Sequence, residues 1–574
     1  MPSSVSLEYA IKEYLQEHGF ALTAPLYEGE TSFRGKYVTN GIMFDTIISL
    51  PPVFPVDYPT FHLVDTDMVF KEPHIERPIK HKGQDFTHVC RVCIRSENEK
   101  TYNPNPVDLL YEMIHGFYGL CDKLACKSFD SKTELFEEFD SYWPQGTTAY
   151  YYFNNPPQNH SRLHLIEIGY PLVSVPGNQF ERTLKILTDN PGVVAQFAAK
   201  SGQEVFFHAE IPYVDLGDSF TLPLPYTYNQ MRRILKKVGS MNYLDKFKAK
   251  VLGNMILIGF NLPSGEKHFA GIEIPRHSNV PVKGMRKVAG VSNYQVFTNP
   301  LLQNNEMLGM AVKSLQRSWL MERGGSQLGS NTYNKGRKIV IAGVGSIGAS
   351  LAFKLCKSGV NHITLIDPGI MRPENVGRHL LGLDSIGRAK AKSVAAVLRS
   401  QYIEMDVNYI LDTAQSDSAI EVMKEADLII TAIGSDAPSV EPWLSENVQN
   451  GTLPPMITCW VEAYAVAGHA LLIKPGDNFF FDSVAEGLDL LDPEYAYLLK
   501  QKEVGCNSEY MPYMHVDADV HVNRMAKFIL KFLNDSPDIR AMNSYGDTVL
   551  FSSHLNKEVQ PDGYEEIEDE AILL

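Results

Sequence analysis

RKIVIAGVGSIGASLAFKLCKSGVNHITLID, residues 337–367, decides the fold class of the C-terminal half of this chain. Ile339–Ala342 is a short continuous apolar run, as a strand buried on both faces requires. It enters Gly343-x-Gly345-x-x-Gly348, and an amphipathic helix follows to about Lys357. A second strand, His362 to Ile366, ends at Asp367. Strand, glycine turn, helix and strand make one β-α-β unit, and with it an α/β architecture. Glycines at 343, 345 and 348 allow a tight turn, close backbone approach to phosphate, and close helix–strand packing. The helix N-terminus adds free N–H groups and a positive dipole end. Asp367 stands 24 residues after Gly343, where a carboxylate can take ribose hydroxyls. The reading is a nucleotide site, and a purely structural glycine turn is its competitor.

Working outward, the 574 residues correspond to three or four domains at roughly 150 residues each. Apolar residues at 44% and charged residues at 21% belong to packed globular domains. With 52 basic and 68 acidic residues the net charge is −16, which argues against a broad nucleic-acid or anionic-membrane surface. The last eleven residues, Tyr564–Leu574, hold five acids and no base, and read as a solvated acidic tail. Glu8, Lys12, Glu13 and Glu17 interrupt the N-terminus, so no signal peptide is expected. No apolar run of 18 residues is present to span a membrane. Seven cysteines are too few and odd in number for a disulfide framework, so a reduced, cytoplasmic protein is expected.

Three regions differ in texture. Residues 1–145 open with an amphipathic helix, followed by strand-like runs at Phe33–Thr39 and Ile42–Leu50. PPVFPVDYPTFHLVD, residues 51–65, then places prolines at the edges and turns of an antiparallel meander. The helix from NPVDLLY has Asn105 as cap, Pro106 in the first position and Asp108 at the positive end. Residues 146–330 alternate short β segments such as EVFFHAEIPYV with Pro and Gly, without a chemical motif, and read as a scaffold or linker domain. Glu322–Gly336 reads as an interdomain linker or mobile loop, and residues 331–574 as the α/β domain with its acidic tail.

LIDPGIMRPENVGRH and IGRAKAKSVAAVL, residues 365–379 and 386–398, resemble the ubiquitin-activating family, including the sulfur-carrier adenylyltransferases. Asp367, Asn375, Arg378 and Lys390 stand at matching places. The resemblance implies a Rossmann-like ThiF-type adenylation domain using ATP and Mg2+. Asp367 would hold ribose, Arg378 and Lys390 would neutralise the ATP phosphates, and Asn375 would orient them. Charge stabilisation of this kind is usually the largest catalytic contribution. Lys392 is the alternative to Lys390. The chain departs from the family at Gly369, where a second acid is usual, and at Gly434-Ser435, where Asp–Asn is usual. Asp436 is therefore the candidate magnesium ligand.

Two cysteines carry thioester chemistry in this reading. Cys506, in the polar loop EVGCNSEY before an amphipathic helix, resembles the thioester cysteine of autophagy-type activating enzymes. Cys93, in Val-Cys-Ile, resembles the active site of ubiquitin-conjugating enzymes, whose α+β order matches residues 1–145. The usual His-Pro-Asn is missing, with Pro73-His74 a partial echo, and His74 and His88 are candidate oxyanion stabilisers. A Cys90–Cys93 metal or redox pair is the competing reading. Cys356 and Cys459 read as core residues.

A conjugating-like domain ahead of an activating domain resembles the activating–conjugating fusion proteins of bacterial anti-phage (CBASS) operons. That resemblance implies adenylation of the C-terminal carboxylate of a cGAS-like nucleotidyltransferase, or of a ubiquitin-like protein. A thioester on Cys506, transfer to Cys93 and amide formation on a target lysine would follow, in a homodimer. Two other classes compete: a dinucleotide-dependent Rossmann oxidoreductase, and an inactive scaffold that binds a partner tail.

Overall fold

A computed structural model of the chain describes residues 4–81, 85–94, 105–143, 147–171, 180–225, 227–246, 255–274, 306–324, 336–433, 439–502, 509–535 and 538–568. It divides into two compact units. One comprises Met1–Glu167, Leu184–Asn190 and Phe206–Lys313; the other comprises Ile168–Thr183, Pro191–Val205 and Ser314–Leu574.

In the first unit, a six-stranded antiparallel sheet runs across as Ala21–Thr23, Thr31–Thr39, Ile42–Leu50, Thr60–Val64, His88–Val92 and Ile75–Lys80. The expected plain meander is broken at its end, because His88–Val92 inserts between Thr60–Val64 and Ile75–Lys80. Pro78 lies on the resulting edge strand, beside a register shift, where its missing N–H costs no central ladder bond. The helix Pro106–Cys126 covers this sheet as its caps foretold, with Asn105 Oδ1 accepting from Val107 N–H at 3.1 Å. Leu109, Leu110, Met113, Ile114 and Phe117 are buried in one core with Phe61 and Leu63, each contributing about 1.5–3 kcal/mol of apolar burial.

The β-rich middle region forms a closed seven-stranded barrel. Its circuit runs Glu204–Gly217, Met255–Asn261, Lys267–Glu273, Leu308–Ser314, Ala149–Tyr152, Phe180–Thr188 and Arg162–Pro171. Closure removes the exposed edges that so many short strands would otherwise present. The expected linker begins later than its composition suggested, since Arg317–Gly324 is helical; residues 325–335 lie outside the described residues.

The second unit holds an eight-stranded mixed sheet. Its order is Asp406–Ile410, His362–Ile366, Lys338–Ala342, Leu428–Thr431, Met456–Val461, Ala467–Ile473, Ile539–Tyr545 and Tyr564–Glu568. The first five strands are parallel, and the chain winds outward in both directions from Lys338–Ala342. That reversal of strand order opens a crevice at the carboxyl ends of the strands, the usual ligand position in such sheets. Helix Ser346–Lys357 buries Leu351, Ala352, Leu355 and Cys356 against the sheet.

The acidic end of the chain is corrected by the fold. Tyr564–Glu568 is an edge strand paired with Ile539–Tyr545, not a solvated tail. Burial alone would raise the Glu565 carboxyl, but hydrogen bonds from Lys557, Tyr545 and Asn543 outweigh it and hold it at about 2. Residues 569–574 lie outside the described residues. No helix among the described residues is long and apolar enough to cross a membrane.

Candidate functional site

The three glycines do three different things. Gly343 has φ +87°, and a Cβ there would lie 2.5 Å from the Ala432 carbonyl oxygen, so the turn and the neighbouring strand both exclude a side chain. A Cβ on Gly348 would lie 1.8 Å from the Gly343 oxygen, which lets the helix seat directly on the turn. At Gly345 a Cβ would meet no atom of the described residues within 4 Å. Among those residues the space in front of the helix N-terminus is open, where an anion is favoured.

Asp367, at the carboxyl end of its strand, holds this turn. Its Oδ2 accepts from Val344 N–H at 2.7 Å, and its Oδ1 from Gly369 N–H at 2.6 Å. Gly369, the departure from the family pattern, follows from the same packing. A Cβ at 369 would sit 2.8 Å from Asp367 Oδ1 and 3.6 Å from Lys390 Nζ. Lys390 is thereby placed beside Asp367, and its N–H bonds the Gly369 carbonyl at 3.0 Å as the helix Lys390–Arg399 begins. Lys392 instead lines a separate groove of about 790 Å³ with Arg388, Asp384, Leu381 and Leu411. Of the two lysines, Lys390 is the one at the turn.

Asn375 serves the local backbone, its Oδ1 accepting from Arg372 N–H at 3.1 Å and closing a short 3-10 turn. Arg378 leaves that turn and donates to the Met511 carbonyl at 3.2 Å, while its guanidinium stacks 5.3 Å from the Tyr513 ring centroid. The Tyr513 hydroxyl in turn hydrogen-bonds the Ser346 hydroxyl, the first residue of the glycine-turn helix. Residues 511–513 are thus fastened to the site from two sides. Cys506 itself lies outside the described residues, between the paired strands Gln501–Lys502 and Glu509–Tyr510. Asp436 also lies outside them, after Leu428–Thr431.

His379 carries no motif that marks it in the sequence. Its Nδ1 accepts from Leu381 N–H at 3.0 Å, so its Nε2 carries the proton given to the Val344 carbonyl at 2.8 Å. Burial lowers its pKa and keeps this neutral form. A histidine after an arginine gives no signal of a bond to a residue 35 positions earlier. Glu441 escapes sequence reasoning for the same reason. Burial raises its pKa, and the Thr458 hydroxyl donates to its Oε1 at 3.0 Å.

Among the described residues, one grouping has metal-ligand composition: Glu462, His469 and Asp489. Its donors are already engaged. Both Glu462 oxygens accept backbone N–H groups, from Leu490 at 2.7 Å and Leu491 at 2.8 Å, and Asp489 accepts from Trp460 Nε1 at 2.8 Å. His469 bridges Glu462 and Asn543 at 2.8 and 2.7 Å. The grouping is a satisfied polar core rather than a ligand cradle.

The cysteines separate by environment. Cys90 is fully buried in its strand, and burial pushes its thiol up to about 12, whereas Cys93, just beyond the strand, is exposed. One faces the core and the other solvent, which disfavours a shared metal. His88 is occupied near Asp65, its N–H and ring both directed at that carboxylate. Cys356 and Cys459 are core residues as expected, with thiol pKa values raised by burial.

Residues 328–540 match the ThiF family. The chain is 28% identical over 189 residues to the ATP-dependent ubiquitin transferase-like protein Cap2 of Pseudomonas aeruginosa, covering 31% of this chain and 33% of that protein. To the Escherichia coli protein of the same name it is 24% identical over 300 residues, covering 50% and 48%. The Adenylyltransferase and sulfurtransferase MOCS3 of Arabidopsis thaliana is 26% identical over 95 residues, covering 16% and 20%. The matched stretches thus span about a third and about half of the two Cap2 proteins.

Proposed function

Taking as premise a chain related to the ubiquitin transferase-like proteins, with a ThiF-family segment at residues 328–540, we propose that it activates a protein C-terminal carboxylate with ATP and conjugates it to an amine. The observation that carries the reading is the fastening of residues 511–513 to Arg378 and Ser346. Met511 is five residues from Cys506, so at most about 18 Å of extended chain separates the thiol from a residue already bound to the site.

The carboxylate oxygen attacks the α-phosphorus of ATP, and pyrophosphate leaves. Arg378 and Lys390 offset the charge that develops on the phosphates, and the glycine turn offers its N–H groups. Asp367 takes ribose with the lone pairs that Val344 and Gly369 do not use. Asp436 is the candidate ligand for Mg2+, which would supply further charge neutralisation. The Cys506 thiolate then attacks the acyl carbon and AMP leaves. Cys93 attacks the resulting thioester and Cys506 leaves. A lysine amine finally attacks the Cys93 thioester, expelling the thiolate and losing its proton to give an amide.

In this reading residues 1–145 are the ubiquitin-conjugating-like domain, 146–330 the middle domain and 331–574 the adenylation domain. The activated partner is a cGAS-like nucleotidyltransferase in anti-phage defence, and the enzyme works as a cytoplasmic homodimer. ATP–pyrophosphate exchange with that partner is the test. Arg378→Ala should reduce exchange at least a hundredfold with the fold retained, and full exchange in that variant would remove the assignment.

A further inference from the structure

Cys93 is held by a residue 19 positions earlier. Its N–H donates to the carbonyl of His74 at 2.9 Å. His74 has φ +62°, a left-handed conformation that is uncommon for a non-glycine residue and is held here by its surroundings. The enforcement is visible. His74 N–H donates to the Tyr142 hydroxyl at 2.7 Å, and that hydroxyl donates to Glu138 Oε2 at 2.5 Å. The imidazole lies between Glu134 and Glu138, at 3.4 and 3.5 Å, with the Phe129 ring 5.4 Å away. Tyr142 is itself immobilised: it is buried, and Arg77 donates to its carbonyl and to that of Trp143. The Trp143 indole N–H is spent on the Gly271 carbonyl at 2.9 Å.

We propose that Tyr142, acting through the left-handed main chain of His74, is the positioning residue for Cys93. The proposal rests on the reading of Cys93 as an acyl carrier and deepens it. His74 contributes its carbonyl rather than its imidazole, so the residue that sets the thiol's place is the tyrosine behind it. A group that fixes a nucleophile's geometry changes turnover more than partner binding, because a misplacement of about 1 Å already costs rate steeply.

The test uses the full chain with two readouts. Hydrogen exchange of the peptide spanning residues 88–94 reports the Cys93 N–H directly. Discharge of a Cys93 thioester to lysine reports the chemistry. Tyr142→Phe should speed exchange at Cys93 about tenfold and lower kcat for discharge about tenfold, with KM for the loaded partner unchanged. Glu138→Gln keeps an acceptor for the hydroxyl, and His74→Asn keeps a residue that tolerates left-handed φ, so both should retain most of the wild-type value in each readout. Unchanged exchange in Tyr142→Phe overturns the proposal whatever the activity. A His74→Asn variant as slow as Tyr142→Phe overturns it too, in favour of the imidazole. Faster exchange in Tyr142→Phe, together with a wild-type chain that never loads Cys93, would sustain the positioning and remove the conjugation reading.

Discussion

Replacing Asp367 by Asn separates the two duties of that carboxylate. Its oxygens accept the Val344 and Gly369 N–H groups at 2.7 and 2.6 Å, both charge-assisted. Asparagine keeps one oxygen, so one backbone N–H must face an NH2 group that can only donate. An unsatisfied, partly buried N–H costs about 1–3 kcal/mol, and the bond that remains loses its charge assistance, about 1 kcal/mol more. Since Asp367 is only half-buried, water recovers part of this, and about 2 kcal/mol is expected. For a unit of this size that corresponds to a Tm lower by about 3 °C. Calorimetry of the full chain measures the shift, and hydrogen exchange over residues 343–348 should show the loosening confined to the glycine turn. Nucleotide affinity should fall further than the stability loss explains, because ribose also loses its acceptor. A variant with wild-type Tm and wild-type exchange at the turn would refute the holding role, leaving ribose as the sole duty.

The remaining predictions concern glycine, cysteine and histidine. Gly345→Ala should fold normally, because its Cβ meets none of the described residues within 4 Å, yet bind ATP at least tenfold more weakly by calorimetric titration; Gly348→Ala, facing an oxygen at 1.8 Å, should be recovered poorly or unfolded. Cys506→Ala should still exchange pyrophosphate but show no thioester on non-reducing gels, whereas Cys93→Ala should accumulate a reducible adduct on Cys506. His62 is buried with its pKa lowered to about 4, chiefly by burial, and burial also lowers His379 and His521. Because these groups resist protonation only when folded, their stabilising contribution is complete above the unfolded value near pH 6.5 and is lost as pH falls. For His62 the loss should reach about 2 kcal/mol by pH 5. Denaturant titrations at pH 7 and 5 measure it, and equal stability at both pH values would refute it.

What the chain declares locally is legible in the amino-acid order alone. Ile339–Ala342, the glycine turn, the helix to Lys357 and the strand ending at Ile366 appear within a residue of their expected bounds, because hydrophobic period and glycine spacing are short-range signals. The Asn105–Pro106 helix start and the buried Cys356 and Cys459 are legible for the same reason.

Tertiary structure alone decided the rest. That Lys390 rather than Lys392 approaches Asp367 depends on how residues 369 and 390 pack, and both lysines begin the same helix. That Tyr564–Glu568 forms an edge strand depends on Lys557 and Asn543, since five acids among eleven residues otherwise read as solvated charge. Arg378 on Met511 joins residues 133 positions apart, His379 on Val344 joins residues 35 apart, and Tyr142 on His74 joins residues 68 apart. Composition and periodicity report which face of an element is buried; they carry no record of which distant backbone group a side chain will meet. Those meetings are set by strand order and helix packing, and they place the turn, the thiol and their supports.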